Sequence, residues 1–399
     1  MRLLTIILVS GLAFPLPAQT RPRARDLGIP LDGTPGMLNA ITDVAGVEVG
    51  HTTIIRGEGK LVRGQGPVRT GVTAVLPRGK NSDDNVMAAW FTLNGNGEMT
   101  GTTWVEESGF LGGPIMITNT HSVGIVHDAV IEWIVQRGKS FDWSLPVVAE
   151  TWDGTLNDIN GFHVTKEHTF AALDSARSGR VTEGNVGGGT GMICHGFKGG
   201  IGTASRKLET GGWTVGVLVQ CNYGGRRALR IAGTPWASLP DWQEPAACYS
   251  IDPPAGSRLP RCGQAPGREE PAEMGSIIIV VATDAPLLPH QLKRLVKRAS
   301  LGIGRMGGIG ANSSGDIFVA FSTANPASDV ASGTATVKML SNNEINGLFQ
   351  ATIDATEESI LNAMLAATDM TGADGVRIPA LPHDKVKELL RKHARTAGR

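Results

Sequence analysis

Residues 271–284 read Pro-Ala-Glu-Met-Gly-Ser-Ile-Ile-Ile-Val-Val-Ala-Thr-Asp. The run from Ile277 to Ala282 is rich in β-branched residues and too short for a helix, so it reads as a buried strand. Ser276 would head that strand, directly after Gly275. If the Gly275–Ser276 bond opened, the serine would carry its hydroxyl beside an α-amine of reference pKa about 7.7–8, a nucleophile with its own base. Opening could proceed by attack of the Ser276 hydroxyl on the Gly275 carbonyl, giving an ester that water hydrolyses. Glycine suits the carbonyl side, since it has no side chain to block attack and tolerates strained backbone angles. The same dipeptide also serves as an ordinary turn or strand-start pair, so the reading needs support from the rest of the chain.

The 399 residues carry 37 basic and 37 acidic side chains and a formal charge of zero. Nothing in that balance points to a nucleic-acid or anionic-membrane partner; a small uncharged or zwitterionic substrate fits better. The length suffices for one large domain or two ordinary ones. The 53 glycines follow no collagen-like period and read as tight turns and close backbone approaches. Residues 1–19 begin with Arg2, continue through an apolar stretch and end in small residues, the pattern of a secretory signal peptide. That stretch is too short to span a membrane, no later segment reads as transmembrane, and the expectation is an exported protein, periplasmic or secreted.

Downstream, residues 72–77, 87–93, 115–118 and 147–154 read as strands and 126–135 as a helix. The glycine tract at 184–202 lacks the Gly-Lys-Ser/Thr ending of a phosphate loop. The Gly-x-Gly-x-x-Gly at 302–307 follows a helical pattern and precedes a strand, the reverse of a dinucleotide site. Both read as close backbone packing. Residues 213–222 form a strand that delivers Asn222 to its end. The stretch 226–273 is rich in proline, glycine and charge and reads as an exposed connection, either slack for Gly275 after cleavage or a surface insertion. Leu288, Leu292, Leu295, Val296 and Ala299 follow helical spacing, a strand at 315–321 begins beside Ser314 and Asp316, and 345–368 and 384–395 read as helical.

The four cysteines form no Cys-x-x-Cys pair that would suggest zinc. Cys248 and Cys262 bracket a Pro/Gly loop and are the expected disulfide of an exported chain, while Cys194 and Cys221, in apolar surroundings, read as buried thiols. The nine histidines include no His-Glu-x-x-His, His163 and His168 read as a surface pair, and the chain has no Gly-x-Ser-x-Gly.

Several stretches taken together resemble a known family. Asn94-Gly95-Asn96-Gly97-Glu98-Met99-Thr100-Gly101, Val148-Ala149-Glu150-Thr151, Leu156-Asn157-Asp158, the 184–202 tract, Val219-Gln220-Cys221-Asn222-Tyr223-Gly224, Gly275-Ser276 and Asn312-Ser313-Ser314-Gly315-Asp316 are similar, in this order, to the L-aminopeptidase D-Ala-esterase/amidase and β-peptidyl aminopeptidase group. The resemblance covers most of the chain after residue 19. It implies an α/β fold, a four-layer α/β/β/α sandwich like that of N-terminal-nucleophile hydrolases but connected differently. It implies one catalytic domain cut into a 20–275 chain and a 276–399 chain, no metal or organic cofactor, a small peptide or amino-acid amide or ester as substrate, D- and β-amino acids among the candidates, and a homotetramer.

By position, Ser276 matches the nucleophile of both self-cleavage and turnover, and Ser314 and Asp316 the serine and acid that steady it. Residues 314 and 316 would share one face of a strand; without the resemblance they are equally well strand-start capping residues. Asn222 matches an oxyanion-hole donor and Glu150 an acid that meets the substrate's free amine. Trp152 departs from the family, which often has tyrosine there; an indole can pack beside a substrate and donate one hydrogen bond but cannot accept one. Two other readings stay open. One is an acyltransferase of the ornithine-acetyltransferase type, disfavoured because those use threonine, and the other a non-catalytic exported ligand-binding protein.

Overall fold

The computed structural model describes residues 21–138, 143–264 and 275–393. The signal peptide expected at 1–19 lies outside the described residues, as do residues 265–274. Two sheets dominate. Their strands in chain order are β1 (Glu48–Arg56), β2 (Val68–Leu76), β3 (Val86–Thr92), β4 (Phe110–Leu111), β5 (Ile115–Asn119), β6 (Val147–Thr151), β7 (Gly200–Lys207), β8 (Thr214–Asn222), β9 (Ser276–Thr283) and β10 (Ile317–Ser322). One sheet runs β1-β2-β5-β6 and the other β4-β3-β10-β9-β8-β7. Pairing is antiparallel throughout except between β5 and β6 and between β9 and β10.

The strand that opened the sequence reading lies inside the larger sheet, and every residue of it is buried. Side chains alternate along a strand. Ile277, Ile279 and Val281 therefore join one core, against helices α4 (Pro289–Val296), α5 (Ala299–Arg305), α6 (Asn346–Ala366) and α7 (His383–Lys392), while Ile278, Val280 and Ala282 face Ile117 and Ala149 of the other sheet. With both faces covered, the run is continuously apolar rather than alternating, and each buried isoleucine contributes about 1.5–3 kcal/mol. A third core joins the outer face of the smaller sheet, through Val72, Ala74 and Met116, to Val126 and Val130 of α2 (Val123–Gln136) and Leu173 of α3 (Lys166–Asp174). The layers are thus helix, sheet, sheet, helix, the expected four-layer α/β/β/α sandwich.

Two expectations are corrected. The 226–264 stretch is no exposed connection: Leu229, Ile231, Trp236 and Leu239 are buried in the helical-side core, and Cys248–Tyr249 pairs with Val376–Ile378. Its elements are 3-10 turns and two-residue strands, too short to print a period on the sequence. Cys248 and Cys262 are bonded as expected, but so are Cys194 and Cys221. The two-residue strand Ile193–Cys194 folds back beside the end of β8, leaving the two Cα atoms 5.6 Å apart, a proximity that sequence separation conceals.

The glycine tract is close packing, as read. A Cβ on Gly202 of β7 would lie 2.0 Å from the Ser359 carbonyl and 2.5 Å from the Ala363 nitrogen of α6, and one on Gly189 would lie 2.5 Å from the Ile201 nitrogen. Helix α6 seats closely on β7 because the strand has no side chain at Gly202. Gly202→Ala should therefore cost about 1–3 kcal/mol through overpacking, measured as a lower midpoint in urea or heat; an unshifted midpoint would show that α6 does not bear on this strand.

Candidate active site

Ser276 shares the parity of Ile278 and so opens between the sheets at their common end. It is almost fully buried, and its Oγ accepts the Gly315 N–H at 3.0 Å. Asp316, one residue further on, immediately precedes β10, which pairs with β9. Its Oδ1 accepts the Ser314 hydroxyl at 2.6 Å and the Ile277 N–H at 3.2 Å, and its Oδ2 accepts the Asn94 amide at 3.2 Å. Asn94 returns the contact, its Oδ1 accepting the Asp316 N–H at 2.6 Å. Burial raises the Asp316 pKa, while the Ser314 hydroxyl, the Ile277 N–H and Asn94 work against that rise. Ser314 and Asp316 thus hold one another and the backbone of the serine's own neighbour.

Asn222 lies directly opposite Ser276 in the β8–β9 register. Its side-chain amide is oriented at both ends: Oδ1 accepts the Ile193 N–H at 2.7 Å, and Nδ2 donates to the Trp152 carbonyl at 2.9 Å. One Nδ2 proton remains for another acceptor. Gly275 sits against the same residue with φ +135°, and a Cβ there would fall 1.8 Å from the Asn222 carbonyl oxygen and 3.3 Å from its Nδ2. Only glycine fits ahead of Ser276.

Glu150, on β6, is brought to the same end by the 94–98 loop. Its Oε1 accepts the Glu98 N–H at 2.9 Å and its Oε2 the Thr120 hydroxyl at 2.5 Å. A Cβ on Gly97 would lie 3.2 Å from Glu150 Oε1 and 3.2 Å from the Gly315 Cα, so this glycine is where the carboxylate and the Ser276 loop meet. Burial raises the Glu150 pKa above 4.5, against the lowering effects of Thr120 and the Glu98 N–H. Such a carboxylate gains from a bound cation. Trp152 follows β6 and is 41% exposed as a residue, its indole folded over Gly154, where a Cβ would lie 2.4 Å from the ring.

The structure therefore brings Gly275, Ser276, Asn222, Glu150, Trp152, Ser314 and Asp316 to one end of the sandwich. The Cys248–Cys262 bond lies in the small sheet joined to 376–378. His163 is not a surface residue: it is buried, with Nε2 2.9 Å from Asp158 Oδ2 and Nδ1 2.7 Å from Arg56 Nη2. His168 instead caps α3, its Nδ1 accepting the Thr165 N–H at 3.0 Å. Sequence reasoning gave no role to Asn94, Thr120, or the N–H groups of Gly315 and Ile193. The Asn-Gly-Asn-Gly spacing at 94–97 was the available signal for the first; the other contacts depend on loops distant in sequence.

Residues 39–378 match the model of peptidase family S58. The chain is 56% identical over 383 residues to beta-peptidyl aminopeptidase BapA of Sphingosinicella microcystinivorans, covering 94% of each chain, and 46% identical to beta-peptidyl aminopeptidase BapA of Sphingosinicella xenopeptidilytica, covering 98% and 95%. In three dimensions it is similar to the L-aminopeptidase D-Ala-esterase/amidase of Ochrobactrum anthropi, a serine aminopeptidase with a variant of the Ntn hydrolase fold, at TM-score 0.83 and 47% identity over 94% of this chain and 100% of that one.

The three donors on Asp316 make a direct test. Asparagine offers one oxygen and an NH2, so Asp316→Asn leaves at least one buried N–H facing another donor. A loss of about 1–3 kcal/mol in denaturant unfolding is expected; equal stability would mean that these contacts do not hold the β9–β10 start together.

Proposed function

The chain belongs to peptidase family S58, and from that premise we propose that this aminopeptidase cuts its own Gly275–Ser276 bond and then uses Ser276 to hydrolyse amides or esters after unblocked N-terminal residues. The observation that carries the reading is the pairing of Ser276 with Asn222 across β8 and β9, with the Gly315 N–H on the serine hydroxyl. In the first event Ser276 Oγ attacks the Gly275 carbonyl, the nitrogen of Ser276 leaves as the new amine, and water hydrolyses the ester. In turnover the freed amine takes the Oγ proton, Oγ attacks the substrate carbonyl, and the amine returns the proton to the leaving group before water releases the acyl product. The remaining Asn222 Nδ2 proton serves the developing oxyanion, while Ser314 and Asp316 steady the serine.

Glu150 takes the substrate's ammonium as a charge-assisted partner, with Trp152 as an adjoining wall. The activities by which the relatives are named, beta-peptidyl aminopeptidase and L-aminopeptidase D-Ala-esterase/amidase, support β-amino-acid peptides and amino-acid amides or esters as the substrate class. The proposed products of the cut are a 20–275 chain and a 276–399 chain of one catalytic domain. Export behind residues 1–19, to the periplasm or medium, and assembly as a homotetramer complete the proposal; the leader's composition supports the first and the resemblance the second.

Ser276→Ala should remain a single uncut chain on a denaturing gel, whereas the unaltered protein should yield a fragment whose N-terminal sequence is Ser-Ile-Ile-Ile. A split Ser276→Ala chain, or an active protein that is never split, overturns the mechanism. The Glu150 reading has a pH sign. Its carboxylate must be charged to hold the ammonium, and its pKa is raised, so KM for free-amine substrates should climb as pH falls through a value above 4.5. Glu150→Gln should raise KM about tenfold or more and abolish that dependence; an unchanged KM removes Glu150 from the amine site.

A further inference from the structure

Lys198 is completely buried in the two-residue strand Phe197–Lys198. Its Nζ donates to the Met192 carbonyl at 2.6 Å, the Gly199 carbonyl at 2.9 Å and the Gly189 carbonyl at 3.4 Å. Three acceptors match the three protons of an ammonium; a neutral amine has only two, and would turn its lone pair on a carbonyl oxygen. Burial pushes the group down to about 7, with the Asp153 charge working the other way. A buried cation held mainly by carbonyls is an expensive way to pin a turn.

The peptide it holds is the informative part. The Met192 carbonyl belongs to the same peptide unit as the Ile193 N–H, and that N–H donates to Asn222 Oδ1 at 2.7 Å. The unbroken chain is therefore Lys198 ammonium, Met192–Ile193 peptide, Asn222 side-chain amide. We infer that Lys198 is a positioning residue that acts on the oxyanion donor through the Met192–Ile193 peptide, an inference that rests on Asn222 having that role. A cation on the carbonyl end of a peptide makes its N–H a stronger donor. That N–H draws electron density from the Asn222 amide oxygen, which leaves the Nδ2 protons more positive. It also fixes which end of the amide faces Ser276, because an N–H cannot face the NH2 end. The Cys194–Cys221 bond ties the residues following Ile193 and preceding Asn222, so the relay's two ends are covalently held in register.

The test is a double-mutant cycle on the full-length protein, with rates normalised to cleaved chain. Lys198→Met is expected to lower kcat about tenfold, a fraction of the about 10²–10³ typical for deleting such a donor outright, with KM within about twofold. Added to Asn222→Ala it should cost nothing further, since the chain is already severed. A kcat unaffected by Lys198→Met, or an equal loss in the Asn222→Ala background, overturns the inference and leaves Lys198 a packing residue. If Asn222→Ala itself keeps full kcat, the oxyanion assignment fails instead. Lys198→Gln, which keeps an N–H donor without charge, carries the same cycle should the methionine variant not fold, and is expected to fall between the two.

Discussion

The antiparallel register of β8 against β9 is the constraint from which the site follows. It sets Asn222 opposite Ser276, and because both residues share parity with Leu218 and Ile278, both side chains leave their strands toward the space between the sheets. A slip of one residue would turn the serine onto the helical face and put an isoleucine at the opening. Eight consecutive buried residues make such a slip prohibitive, since it would also exchange the residues of two differently shaped cores. Catalytic placement and core packing are thus one requirement.

Around that pair the loops are locked by backbone contacts. Gly315 and Gly97 approach each other closely enough that a Cβ on Gly315 would lie 2.7 Å from the Gly97 Cα. This lets one loop carry an N–H to Ser276 Oγ while its neighbour carries another to Glu150. Side chains at either position would wedge Glu150 away from the loop that meets Ser276. The abundance of glycine, which composition alone cannot explain, has its reason in such contacts between backbones.

Strand β9, helix α6 and the Cys248–Cys262 bond were legible in the sequence, because long apolar periods and short loop closures leave local signatures; the layer order followed only from the family resemblance. The candidate site residues were singled out through motif order, since Ser314 and Asp316 alone read equally well as strand-start caps. What escaped notice depended on distant segments meeting. Cys194 and Cys221 pair only because a two-residue strand folds back beside β8, and His163 is buried only because Asp158 and Arg56 converge on it. The 226–264 stretch defeated periodicity because its buried residues sit on turns.

The proposed self-cleavage and turnover would ask the same groups to serve two carbonyls in succession, and one arrangement suits both. Before the cut, the Gly275 backbone lies hard against the Asn222 carbonyl, in a conformation that L side chains rarely adopt. Asn222 is held by Ile193 and Trp152, and Asp316 is held by Ile277, Ser314 and Asn94. The proposed break of the 275–276 bond would leave all of these contacts in place. Under the proposed mechanism the donors would stay where the first acyl group left them, and Ser276 would gain an amine at the head of a strand whose pairing the cut does not touch.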